Sequence, residues 1–160
     1  MKTITLNEKI SPKPFVSTDP TMGSFADLQG KNIVLYFYPK DSTPGCTVEG
    51  RDFSALNADF QNLNTQILGV SRDSIASHQK FCQKQGFVFP LISDPDEALC
   101  QYFNVIVKKN MFKRLILGIE RSTFLIDSNG ILRKEWRNVK VKNHANEVLH
   151  AVQELEKIKV

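Results

Sequence analysis

Cys46, Cys82 and Cys100 are the three cysteines of this 160-residue chain, and His78, His144 and His150 its three histidines. They are the side chains best suited to nucleophilic, redox or metal chemistry. Cys46 has the most informative neighbours. It follows a Pro-Gly pair, Pro44 and Gly45, and stands at the start of a helical pattern. A sulfur in that place faces unpaired backbone N–H groups and the positive end of the helix dipole, and both favour the thiolate. Gly45 lets the backbone approach a small ligand closely. Thr43 stands three residues before Cys46, within reach to hydrogen-bond the sulfur or a bound oxygen, and Pro39 ends the preceding strand and can shield a pocket. No C-x-x-C is present, and the histidines show no metal-site spacing with the cysteines. His78 and Cys82 can share a helix face, but two ligands do not make a zinc site, so His78 is expected as a polar surface residue.

The elements around these residues alternate between strand and helix. Ile33 to Tyr38 is a continuous apolar run between Gly30 and Pro39, the pattern of a buried strand. Residues 39 to 45 form a turn-rich loop. From Cys46 to about Leu63, Phe53, Leu56, Phe60 and Leu63 build one helical stripe. Gln66 to Val70 is strand-like. Asp73 or Ser74 can cap a helix that runs to Gln85 and stops at Gly86, with Ile75 and Cys82 on one face. Pro90 to Ile92 is extended, and Asp94 to Asn104 is expected as a short capped helix. Residues 105 to 120 are basic and apolar together and give no clear period. Ser122 to Ile126 and Ile131 to Trp136 are strands joined through Asn129-Gly130, a hairpin signal. A final helix from Asn143 carries Ala145, Val148, Leu149, Val152 and Leu155 on one stripe.

This order predicts an α/β protein with a mixed central sheet flanked by helices, as one domain over residues 1–160. In such a sheet chemistry collects beyond the carboxyl ends of strands, which is where the loop from Pro39 to Cys46 falls.

Composition narrows the function classes. The chain is 41% hydrophobic and 24% charged, as soluble globular proteins are. Its net charge of +4 comes from 21 basic against 17 acidic residues. Lys108, Lys109, Lys113 and Arg114 cluster, as do Arg133, Lys134, Arg137, Lys140 and Lys142, but no nucleic-acid motif accompanies them and a solvated basic face is the better reading. No apolar run reaches the ~18 residues a membrane span needs, and no signal-peptide pattern opens the chain. A cytoplasmic location is expected, with reduced thiols and without a nucleic-acid or membrane partner.

Pro39, Thr43 and Cys46 stand as Pro-x-x-x-Thr-x-x-Cys, which resembles the active-site motif of peroxiredoxins. The segment from Tyr36 to Glu49, and with it Gly118 to Asp127, is similar to the bacterioferritin comigratory protein branch, also called Q-type. The resemblance runs over nearly the whole chain. It implies a thioredoxin-like fold and reduction of hydrogen peroxide or organic hydroperoxides without metal, flavin or haem. It places Cys46 as the peroxidatic cysteine and Thr43 as the residue that orients sulfur and peroxide. Pro39 falls on the proline that lines the pocket, Arg121 on the distant arginine that supports the thiolate, and Glu49 on a polar residue that holds that arginine. Attack by sulfur would leave a sulfenic acid.

Many Q-type members carry a second cysteine five residues after the first; here Arg51 occupies that position. The resemblance then favours Cys82 as resolving partner over Cys100 or no internal partner, with thioredoxin or glutaredoxin as reductant and a monomeric state. Because Cys82 lies on another helix, a Cys46–Cys82 disulfide would require local unfolding. Rival readings are a one-cysteine peroxidase and a peroxide sensor relaying oxidation to a partner. A disulfide reductase is disfavoured by the missing C-x-x-C. Phe37, Phe53 and Phe112 fit either a site for an alkyl hydroperoxide or plain core.

Overall fold

The computed structural model describes residues 3–158. Its centre is β2 (Asn32–Phe37), every residue of which is buried. Alternate side chains of a strand point to opposite faces, and here each face feeds its own core. Ile33, Leu35 and Phe37 enter one cluster with Phe103 and Phe124. Val34 and Tyr36 enter the other, with Cys46, Phe53 and Phe60. A strand buried on both faces reads as a continuous apolar run rather than an alternating one.

Six strands form the sheet in the order β1-β4-β3-β2-β7-β8. β3 (Thr65–Ser71) lies parallel to β2 and to β4 (Leu91–Ser93). β7 (Ser122–Ile126) runs antiparallel to β2 and to β8 (Leu132–Trp136). The short β1 (Val16–Ser17) closes the other edge on β4. One face carries α1 (Pro44–Ala55), α2 (Asn57–Asn62), α3 (Ile75–Gln85) and α5 (His144–Ile158). The other carries a 3-10 turn at Phe25–Leu28 and the short α4 (Ala98–Tyr102).

Three elements differ from expectation. The helix expected from Cys46 to Leu63 begins earlier, at Pro44 with Thr43 as N-cap, and breaks at Leu56; Phe53 and Phe60 stay buried across the break. The helix expected over Asp94 to Asn104 shrinks to five residues. Glu97 before it has a positive φ of 64°, and the Asp94 carboxylate accepts from Leu99 and Cys100 N–H at 3.1 and 2.8 Å, which caps the helix. Residues 105 to 120 fold as a separate hairpin of β5 (Ile106–Met111) and β6 (Arg114–Ile119). Phe112 and Lys113 turn it with φ of 53° and 62°. A two-residue turn of this type normally carries Asn or Gly, so the usual signal was missing.

Candidate active site

β2 delivers the chain to Tyr38, the loop runs from Pro39 to Thr43, and α1 follows at once. Pro44 suits the first helical position because its missing N–H would have been unpaired there. Cys46 is therefore in the first turn of α1, and it is buried.

Arg121 is 75 residues away in sequence, yet its Nη2 donates to Cys46 Sγ at 3.4 Å. Sheet register explains the meeting. β7 is antiparallel to β2 and Ser122 pairs with Phe37, so the start of β7 lies beside the end of β2. Arg121 immediately precedes that start. Gly45 makes room: a Cβ there would stand 3.2 Å from Arg121 Nη2. The close approach permitted by Gly45 is thus taken by the guanidinium.

Arg121 Nη1 donates to Glu49 Oε1 at 2.6 Å. Glu49 lies one turn beyond Cys46, is almost wholly buried, and leaves Oε2 without a hydrogen-bond partner among the described residues. Burial pushes its carboxyl up to about 7, against the opposing pull of Arg121. Cys46, Glu49 and Arg121 thus form one contiguous set. Thr43 is half-buried and its hydroxyl donates to the Lys40 carbonyl at 2.8 Å rather than to sulfur. Pro39, two residues beyond the end of β2, is half-buried.

The other two cysteines differ from Cys46 and from each other. All three thiols are free. Cys82 is half-buried on α3 and packs against the Cys46 core cluster. It also opens on a surface cleft with Thr18, Phe87 and Pro90. Burial pushes its thiol up to about 11. Cys100 is fully buried in the cluster on the opposite face of the sheet, and burial raises its thiol strongly.

His78 corrects the expectation of a surface histidine, since it is fully buried. Nδ1 faces Asp41 Oδ2 at 2.7 Å and Nε2 faces the Ile92 carbonyl at 2.8 Å. Asp41, in the loop before Cys46, also accepts from the hydroxyls of Tyr38 at 2.6 Å and Ser77 at 2.7 Å. Its own N–H donates to Asp73 Oδ2 at 2.9 Å. Burial opposes ionisation of Asp41, but the hydrogen bonds from His78, Tyr38 and Ser77 outweigh it and hold the carboxyl below its ordinary value. The site loop is thereby tied to the first turns of α3. Asp41, Asp73 and His78 come close enough to hold a cation, but their facing atoms already serve these internal hydrogen bonds. Sequence reasoning passed over Asp41; its place between Pro39 and Thr43 was the available signal. His144 is also buried, with Nε2 2.8 Å from Thr123 Oγ1, and burial together with Arg121 lowers it to about 4.

Residues 14–135 match the AhpC/TSA family. The chain is 59% identical over 123 residues to Peroxiredoxin Bcp of Xanthomonas campestris pv. campestris, covering 77% of each. It superposes on the Xanthomonas campestris bacterioferritin comigratory protein, described by its alkyl peroxide reduction activity, with a TM-score of 0.85. That match has 51% identity and covers 90% of this chain and 92% of the other. A cysteine variant of Xylella fastidiosa PrxQ gives a TM-score of 0.90 at 42% identity, covering 96% and 98%. The mixed sheet with its flanking helices is the thioredoxin-like α/β fold of these proteins.

Proposed function

We propose, from the premise that this chain belongs to the AhpC/TSA family and within it to the Bcp or Q-type peroxiredoxins, a complete cycle for its thiol peroxidase activity with Cys46 as the attacking residue. The observation that carries this is the Arg121 guanidinium held between Cys46 Sγ at 3.4 Å and Glu49 Oε1 at 2.6 Å.

The Cys46 thiolate gives an electron pair to the nearer peroxide oxygen while the O–O bond breaks. Sulfur becomes a sulfenic acid. The departing oxygen carries negative charge until it takes a proton and leaves as water or an alcohol. Arg121 and the N–H groups of the first turn of α1 are fixed donors where that charge develops, and each such donor is typically worth two to three orders of magnitude in rate. Thr43 spends its proton on the Lys40 carbonyl, so its oxygen is left as an acceptor that can orient the peroxide O–H. Pro39 shields the pocket. Hydrogen peroxide and alkyl hydroperoxides are both substrates in this reading; the Xanthomonas relative's alkyl peroxide reduction supports the second.

Cys82 resolves the sulfenic acid. Its sulfur attacks Cys46 sulfur, a disulfide forms and water leaves. Cys100 is separated from Cys46 by the central sheet. A disulfide needs Cα atoms roughly 4.4–6.8 Å apart; Cys46 and Cys82 sit on two separate helices, α1 and α3, and in this cycle the first turn of α1 or part of α3 unwinds to bring them together. Unwinding also exposes a thiol that burial otherwise keeps protonated. A dithiol protein such as thioredoxin or glutaredoxin then reopens the bond by exchange. Three free thiols suit a reducing cytoplasm, and the cycle is complete within one monomer. A one-cysteine cycle, in which external thiols reduce Cys46 directly, is the rival reading, favoured by a Cys82 that is half-buried on a separate helix and held protonated by burial.

Mass mapping after one equivalent of hydrogen peroxide decides between them. A Cys46–Cys82 crosslink is expected, lost in Cys82→Ser and retained in Cys100→Ser. Sulfenic or overoxidised Cys46 beside a free Cys82 would leave the peroxidase and remove Cys82 from it. Unmodified Cys46 would refute the assignment altogether.

A further inference from the structure

The β5–β6 hairpin stands apart from the six-stranded sheet and exposes what the rest of the chain hides. Phe112 at its tip is 93% exposed, followed by Leu115 at 65%, Ile116 at 42% and Leu117 at 58%. Phe112 therefore belongs neither to the core nor to a peroxide pocket. Contiguous exposed apolar groups of this kind mark interaction surfaces. A bulky aromatic residue at positive φ is also uncommon, so the chain holds Phe112 at the turn against its local preference.

The charge pattern selects the partner. Between Ile106 and Ile119 there are four cations, Lys108, Lys109, Lys113 and Arg114, and no acidic residue. Two copies meeting here would oppose like charges. The register distributes the apolar groups: Leu115 and Leu117 share a face with Asn110 and Lys108, while Ile116 pairs with Lys109 on the other. A protein partner docks against one face. Apolar side chains on both faces and at the tip, ringed by cations, suit a medium that surrounds the tip.

We infer that the β5–β6 hairpin is a wedge that seats this protein on anionic phospholipid bilayers, with Phe112, Leu115, Ile116 and Leu117 in the acyl boundary and the exposed Lys108, Lys113 and Arg114 at the headgroups. No helix of the described residues is long and apolar enough to cross a membrane, so the association is peripheral. The hairpin root adjoins the active site. β6 ends two residues before Arg121, and Arg72 donates to the Leu117 carbonyl at 3.4 Å. Burial and the neighbouring charges of Arg121 and Arg72 lower Lys109, while Cys46 acts in the opposite direction. A seated hairpin brings Cys46 to the bilayer surface, where its substrates would be hydroperoxides of membrane lipids; that consequence rests on the peroxidase reading, but the binding does not.

The test is co-sedimentation with phosphatidylcholine vesicles, with and without about 30 mol% phosphatidylglycerol. The full chain should partition at least about tenfold more onto the anionic vesicles, and salt near 0.5 M should abolish the preference. Phe112→Asp, and Lys113→Glu with Arg114→Glu, should each lower binding about tenfold, while Phe112→Trp should bind and shift its emission to the blue. Hydrogen peroxide turnover in solution should be unchanged in all of them. Equal partition onto both vesicle types, or anionic binding that survives Phe112→Asp, would overturn the inference. So would a dimer that Phe112→Asp dissolves, because a second copy would then be the occupant. Chain that binds vesicles without consuming hydrogen peroxide would refute only the peroxidase reading.

Discussion

Asp41→Asn should loosen α3 and thereby speed formation of the Cys46–Cys82 disulfide. The wild-type carboxylate accepts three side-chain hydrogen bonds, from Tyr38, Ser77 and His78, and is almost fully buried. Asparagine has the same shape but replaces one acceptor oxygen with a donor. Whichever way the amide is placed, its NH2 group faces at least one of these donors. Losing a hydrogen bond to a charged group costs about 1.5–3 kcal/mol, and breaking a buried charged pair about 3–5 kcal/mol. A net loosening of about 2–4 kcal/mol is reasonable because the amide oxygen keeps part of the set. At 1.4 kcal/mol per decade this raises the unwound population of α3 roughly thirtyfold to a thousandfold. Hydrogen exchange should report it as lost protection over residues 75–85 beyond any change in the sheet. Quenched-flow alkylation should show a faster disulfide after one equivalent of peroxide, while Cys46 oxidation itself changes only a few-fold. Unchanged protection of α3 would refute the anchoring role of Asp41. Increased exchange with no faster disulfide would refute gating by unwinding.

Glu49 predicts an unusual pH dependence. Its carboxyl has an ordinary value of 4.5 in the unfolded chain and about 7 when folded, raised by burial against the pull of Arg121. The folded state therefore holds the extra proton between those values, and this contribution to stability is lost as pH rises through them, by roughly 3 kcal/mol. Glu49→Gln should flatten that fall in denaturant titrations from pH 4.5 to 7, and a slope equal to wild type would refute it. With Arg121 no longer braced by a carboxylate, the same variant should oxidise Cys46 about an order of magnitude more slowly at pH 8. Gly50→Ala should destabilise despite better helix propensity, because its Cβ would run into the Phe87 ring. Overpacking outweighs the ~1 kcal/mol propensity gain, so Tm should fall by a few degrees in calorimetry; a higher Tm would refute the contact.

Much of the site could be read along the chain because its determinants are local. The apolar run ending at Tyr38, the Pro-Gly turn and the stripe of Phe53 and Phe60 specify a strand, a loop and a helix that begin and end within a few residues of each other. That is enough to put Cys46 in a first helical turn. Period and capping likewise located α3, with Ser74 accepting from Ser77 N–H and Gly86 at φ 68°. Arg121 entered only through family resemblance, since nothing within 75 residues links it to Cys46; the antiparallel register of β2 and β7 does so in space. His78 was misplaced for the same reason. A histidine on an amphipathic helix reads as polar surface until the fold supplies a buried acceptor on each side of the ring, and Asp41 and Ile92 come from two other segments. The hairpin at residues 106–119 was hidden because both its faces and its turn depart from the usual patterns. Which face of the sheet each cysteine occupies was likewise decided by topology: Cys46 and Cys82 share one side and Cys100 lies on the other. Sequence thus determined what is made of neighbouring residues, and tertiary structure decided what depends on strand order and on which buried polar groups find partners across it.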